Sequence, residues 1–135
     1  MQAWSSQNDL GIAFDSSTGF KLPNGAERSP DASWIKRDFW DSLNAEQKRN
    51  FPPLCPDFVI ELRSQTDSIK TLQLKMLEYI DNGAKVGWLI DPKTQKVEIY
   101  RLGKQVEILQ NPGTLSGEDV LPGFVLKLSS IFKDV

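Results

Sequence analysis

The chain has no histidine and one cysteine among its 135 residues, and these absences exclude several kinds of chemistry. Without histidine there is no Ser-His-Asp or Cys-His catalytic set, and no imidazole to hold zinc or iron. The lone cysteine, Cys55, allows no internal disulfide and no thiolate-rich zinc site within one chain. It lies between Leu54 and Pro56, close to Phe51, and reads as a small packed thiol and not a nucleophile. No stretch approaches the roughly 18 consecutive apolar residues of a membrane span, and the start MQAWSSQNDLG lacks the basic opening and apolar run of a secretory signal. A cytoplasmic protein with no membrane partner and no organic cofactor is expected. The net charge of -2 lacks the basic excess of a general nucleic-acid coat protein. Lys36, Arg37, Lys48 and Arg49 could still form a local basic groove, although scattered surface charge is the plainer reading.

Carboxylates, lysine, arginine, tyrosine and oxygen-liganded metal remain as reagents. The length and ordinary apolar content predict one globular domain over residues 1–135. Gly11 to Asp15, the turn Ser16 to Gly19 and Phe20 to Leu22 read as strand, turn and strand, with a second turn signal at Pro23-Asn24-Gly25. Nothing in residues 1–10 supplies an element to cover that hairpin, so the start is read as shortened. Ala32 to Ile35 reads as a short strand entered through Pro30. Trp40 to Asn50 turns helical, with Asn44 and Gln47 spaced as a capping box, and Phe51-Pro52-Pro53 ends it.

Asp57 to Arg63 alternates as a central strand, with Phe58, Ile60 and Leu62 on one face and Asp57, Val59, Glu61 and Arg63 on the other. The clearest helix follows, capped by Thr66, Asp67 or Ser68. Ile69, Leu72, Met76, Tyr79 and Ile80 make its apolar stripe, and Asn82-Gly83 stops it. Lys75 lies at the border of the stripe, where its stem can rest on the core while its ammonium reaches a strand end. Val86 to Asp91, Lys96 to Arg101, Val106 to Leu109 and Phe124 to Leu128 read as further strands, 111–118 as a loop, and Ser129 to Phe132 as a closing helical turn. One long helix set between two strands, among many strands, predicts an α/β domain with a mixed sheet flanked by helices.

The segments SPDASWI (29–35) and PDFVIELRS (56–64), followed by Lys75 on the next helix, place carboxylates and cations at strand ends and a helix edge. That is how a hard divalent cation and a phosphate are commonly held. With KMLEYIDNG and GWLIDP following in order, the sequence resembles the Uma family of restriction-endonuclease-like proteins, within the PD-(D/E)xK nuclease superfamily. The resemblance runs from about Phe14 to Phe132. It implies a restriction-endonuclease-like mixed sheet, a Mg2+-dependent endonuclease (Mn2+ as an alternative) and DNA as substrate. It further implies Asp31 as the first metal-binding aspartate, Glu61 as the second acidic ligand and Lys75 as the helix lysine. The position two beyond Glu61, where the motif has lysine, holds Arg63. Asp57 also follows a proline, but it stands about 13 Å from Glu61 along an extended strand, too far to share a metal with it.

In such a site Asp31, Glu61 and the Leu62 carbonyl would ligate the ion, and Lys75 would orient or deprotonate water. Arg63 is a poor base, but its planar fork suits phosphate. Taken singly, each residue has an ordinary explanation: Asp31 as a turn residue, Glu61 and Arg63 as a same-face ion pair, Lys75 as a solvated lysine, and Tyr79 as core. Trp34, Trp40 and Trp88 could stack on bases, but buried anchors are the commoner use. Asp91-Pro92 reads as a strand-ending turn without function. A homodimer would provide two sites for two strands. The alternative is a non-catalytic nucleic-acid-binding or protein-interaction domain that keeps the nuclease fold, or a purely structural subunit.

Overall fold

In the computed structural model, which describes Met1 and residues 9–132, the strands are β1 (Gly11–Asp15), β2 (Phe20–Lys21), β3 (Glu27–Arg28), β4 (Ala32–Lys36), β5 (Phe58–Leu62), β6 (Val86–Asp91), β7 (Lys96–Arg101), β8 (Glu107–Gln110), β9 (Thr114–Ser116) and β10 (Val125–Lys127). The helices are α1 (Arg37–Asp41), α2 (Ala45–Arg49), α3 (Ile69–Asp81) and α4 (Ser129–Phe132). Six strands form one sheet in the order β1-β4-β5-β6-β7-β8. Only β5 and β6 run parallel in it. A parallel pair needs a long crossover, and α3 supplies it. This is the α/β architecture with a mixed sheet flanked by helices expected from the sequence. Among the described residues no helix is long and apolar enough to cross a membrane.

Both faces of the sheet are covered, so β6 is buried at every position and reads as VGWLID without polar alternation. On one face Trp34, Phe58, Trp88 and Ile99 pack beneath Leu121, Phe124 and Phe132 of the C-terminal segment. The Phe58 and Trp88 rings meet edge to face, with centroids 4.7 Å apart. On the other face Leu72, Met76 and Tyr79 of α3 close over Ile35, Val59 and Leu89. Ser68 begins α3 by accepting the Thr71 amide, and Gly83, at φ +120°, ends it in a conformation that L side chains resist. Cys55 is a free, buried thiol, pushed up to about 12 by burial.

Three expectations about local structure are corrected. The strands at 11–15 and 20–22 do not form a hairpin: β1 pairs antiparallel with β4, and β2 turns through Asn24-Gly25 to pair with β3. Turn residues surround both strands, and long-range burial of Ala13 and Phe14 decides which partner each takes. The helix expected over 40–50 is two short ones, because Asn44 adopts extended backbone (φ −82°, ψ 173°) to cap the second. Its capping box with Gln47 is present as expected. The stretch 111–118 contains β9, whose three residues bury only Leu115 and are too few for a visible period. The reading of residues 1–10 as lacking a covering element falls largely on residues 2–8, outside those described.

The C-terminal segment that covers the first face is drawn tight at Gly117. Its amide donates to the Phe124 carbonyl (2.8 Å) and its carbonyl accepts from Leu121 (3.0 Å). A Cβ there would stand 2.5 Å from the Leu121 carbonyl oxygen, which is backbone and cannot swing aside. Gly117→Ala should therefore lower stability by about 1–3 kcal/mol, an overpacking cost. Gly113→Ala, with open space around the new methyl, should stay within about 0.5 kcal/mol of wild type. Urea unfolding of the two variants checks this, and equal midpoints would refute the packing argument.

Candidate active site

Strand pairing brings the two predicted acids together. Ala32 lies opposite Ile60 in the antiparallel β4–β5 pair, so the register carried one residue further sets Asp31 opposite Glu61. Asp31 Oδ2 accepts the Leu62 amide at 2.7 Å, which pins the loop carboxylate to the end of β5. Along β5, Val59 belongs to the α3-side core while Phe58 and Ile60 belong to the other, so Glu61 points toward α3. It is 4% exposed, and its Oε2 accepts the Tyr79 hydroxyl at 2.7 Å.

Tyr79 is thus both core and site. The sequence places it in the apolar stripe, where core is its plain reading. The signal lay in its spacing, one turn after Lys75 on the same edge of the helix. Lys75 is half-buried, and its charge acts on the Glu61 and Asp67 carboxylates. It forms no ion pair among the described residues.

Burial pushes the Glu61 carboxyl above its ordinary range. The Tyr79 hydrogen bond and the Lys75 charge oppose this, while the Asp31 and Asp67 carboxylates add to it. Tyr79 is itself driven up by burial, and then by the charge and hydrogen bond of Glu61. A cation beside Glu61 and Asp31 would relieve both the desolvation and the like-charge repulsion. Oε1 of Glu61 and Oδ1 of Asp31 accept no hydrogen bond among the described residues. Among those residues no group of three or more acidic, cysteine or histidine side chains is placed to hold a metal. A pair of carboxylates would suit Mg2+, since that ion keeps several waters and takes one or two carboxylates.

Arg63 stands differently from the expected free phosphate clamp. Its Nη1 donates to Asp91 Oδ2 at 2.9 Å and its Nε to the Asp67 carbonyl at 3.2 Å. The Asp91-Pro92 turn thus has a structural role that the sequence reading did not assign. Burial raises the Asp91 carboxyl, but the Arg63 and Thr94 hydrogen bonds, the Arg63 charge and the Lys93 amide outweigh it and hold the group low. Asp57 is buried and taken up by Lys85 (2.7 Å) and the Lys36 amide (2.8 Å), away from the Glu61 end of the strand.

The Uma2 family, described as "Putative restriction endonuclease", matches residues 1–129. The chain belongs to this family. A crystal structure titled as a putative nuclease belonging to DUF820, from Anabaena variabilis ATCC 29413, superposes with a TM-score of 0.81 at 22% identity, covering 98% of this chain and 73% of that one. At that identity the likeness shows the fold. No curated protein matches. In this Uma2-family chain, then, the residues carrying the motif resemblance, Asp31, Glu61 and Lys75, come to one end of the sheet beside α3, and Arg63 is turned toward β6.

A buried carboxyl with a raised pKa leaves a mark on stability. Between the ordinary glutamate value of 4.5 and its raised folded value, the native state holds more protons at Glu61 than the unfolded chain does. Stability contributed by this group is therefore complete below about 4.5 and is lost as pH rises through the folded value. Glu61→Gln keeps an acceptor for Tyr79 and removes the titration, so its urea midpoint should exceed that of wild type at pH 7 and the two should converge near pH 4. Parallel pH profiles would show that Glu61 is not strained in this way.

Proposed function

We propose that this chain is a metal-dependent endonuclease that hydrolyses DNA phosphodiester bonds in the cytoplasm. The observation that carries the reading is the placement of Asp31 opposite buried Glu61 at adjoining strand ends, beside half-buried Lys75, which forms no ion pair among the described residues. Asp31, Glu61 and the Leu62 carbonyl are the residues that would hold Mg2+, or Mn2+ in its place. When bound, such an ion supplies positive charge for the phosphate oxygens and makes a bound water more acidic.

The side chains have separable duties. Tyr79 fixes Glu61 Oε2 and leaves Oε1 open. The Leu62 amide does the same for Asp31 through Oδ2. Lys75 orients the attacking water and serves as its proton acceptor. The water oxygen bonds to phosphorus as one P–O ester bond breaks, and the leaving oxygen takes up a proton from solvent to become an alcohol. Arg63 keeps its bond to Asp91 and lines an open groove of about 650 Å³ with Lys93 and Ser130, where the Lys93 charge favours a phosphodiester backbone. A symmetric homodimer would present two such sites to the two strands of a duplex.

Mn2+ titration, followed by electron paramagnetic resonance, and cleavage of plasmid DNA test this together. Asp31→Ala and Glu61→Ala should lose both Mn2+ binding and cleavage. Lys75→Ala should retain Mn2+ and lose about 10²–10⁴ in rate, the range for a general base. Cleavage should rise with pH as Glu61 ionises. Tyr79→Phe should weaken Mn2+ binding by about 10–100-fold, as removal of a partner behind a metal ligand does. A wild type that neither binds Mn2+ nor cuts would overturn the reading.

A second reading, a nucleic-acid-binding module that keeps the fold without the chemistry, draws support from Arg63, since the motif's cation position is occupied by a residue bonded to Asp91. It predicts binding without cleavage at any divalent concentration.

A further inference from the structure

Two features of the sequence find no place in the site above: the basic residues Lys48 and Arg49, and Trp40. The fold gathers all three around one cavity of about 410 Å³, together with Phe14, Thr18 and Phe51. Its size falls within the roughly 300–1,000 Å³ of small-ligand sites. Trp40 packs on Phe14 with ring centroids 5.1 Å apart, and the Lys48 ammonium stands 5.3 Å from the Trp40 ring centroid. Phe51 is 46% exposed. Neither Lys48 nor Arg49 forms an ion pair among the described residues, so aromatic surface and unneutralised positive charge share one hollow.

The cavity lies beside the candidate active site. A Cβ on Gly19, one of its lining residues, would stand 2.2 Å from the Phe51 ring and 2.9 Å from Ser29 Oγ, so only glycine lets these two approach. Ser29 is two residues before Asp31. Asp15, at the end of β1, pairs with Ala32, the residue after Asp31. Phe14 packs with Phe20 (5.6 Å) against the core under α3, so the cavity is on the sheet face that carries Glu61 and Lys75.

We propose that this cavity is a subsite for one unpaired nucleotide of a DNA strand next to the scissile phosphate. The base stacks on Phe51, and the adjoining phosphates meet Arg49 and Lys48, whose ammonium lies over the Trp40 ring. Bases inside a duplex hide their faces in the stack, so an aromatic platform engages a base only where the strand is single or locally opened. The inference takes the nature of the strand from the proposed function, but its test is independent of cleavage.

Fluorescence anisotropy of a labelled twelve-residue oligothymidylate, and of a blunt duplex of the same length, in EDTA reads the subsite alone. Wild type should bind the single strand more tightly than the duplex. Phe51→Ala, an exposed position that leaves the core intact, should weaken single-strand binding by about 5- to 160-fold, the span of one lost base stack, and leave duplex binding unchanged. Lys48→Ala with Arg49→Ala should flatten the slope of log K against log salt by about 1.4, as expected for two single-strand phosphate contacts. Single-strand binding unchanged in Phe51→Ala, or lowered equally for both oligonucleotides, overturns the subsite. So does a wild type that binds no oligonucleotide in EDTA yet cuts DNA with Mn2+, a result that leaves the nuclease reading standing. Phe51-dependent single-strand binding without Mn2+-dependent cleavage establishes the subsite and overturns the nuclease.

Discussion

A carboxylate buried at the end of a central strand needs a partner, and the 2.7 Å hydrogen bond from Tyr79 to Glu61 provides it. This bond joins the crossover helix to the strand it follows, so the orientation of α3, the reach of Lys75 and the free oxygen of Glu61 are set together. An isolated ionised carboxyl in that position would cost several kcal/mol in lost hydration. One neutral donor and one nearby ammonium offset only part of this, since the Glu61 carboxyl stays above its ordinary range. The fold holds an acid where stability alone would favour an apolar residue, and such local conflict is characteristic of functional sites.

The surrounding architecture serves the same end. The β5–β6 pair is parallel, so both strands finish at the same edge of the sheet, where Glu61, Arg63 and Asp91 are grouped. The Arg63–Asp91 bond ties these two ends together, and Arg63 also lines the groove formed with Lys93 and Ser130. A second tie lies on the same face, where Gln73 of α3 donates to Glu98 of β7, whose carboxylate also accepts from Tyr100 on its own strand. The helix is thus held to the sheet through polar bonds on two strands as well as by its apolar stripe, which suits an element that must present Lys75 in one place.

Much of this was legible in the chain. The stripe Leu72, Met76, Tyr79 and the caps Ser68 and Gly83 are local signals, and α3 follows them closely. The same holds for β5, β6 and β7, whose apolar runs are long enough to read. Pairing was less legible. Gly11 to Asp15 could equally have turned back onto Phe20 to Leu22, and only its burial against β4 shows otherwise. Arg63 looked like a free cation because Asp91 is 28 residues away in the chain. Lys48, Arg49 and Trp40 looked scattered because the face they share is made by the loop after β1 and the end of α2, which no local period connects.

Which reagents exist and which elements carry them can be read along the chain: two acids, a helix lysine and a tyrosine one turn beyond it, with no histidine to offer imidazole chemistry. These are properties of residue type and short-range spacing, and short-range spacing fixes helices and strands. Tertiary structure decided which charges stay free. Among the described residues Lys75 forms no ion pair, while Arg63 is taken by Asp91 and Asp31 is drawn onto the Leu62 amide. That allocation depends on strand register and burial, which put groups tens of residues apart within hydrogen-bonding reach and set how much water each one keeps.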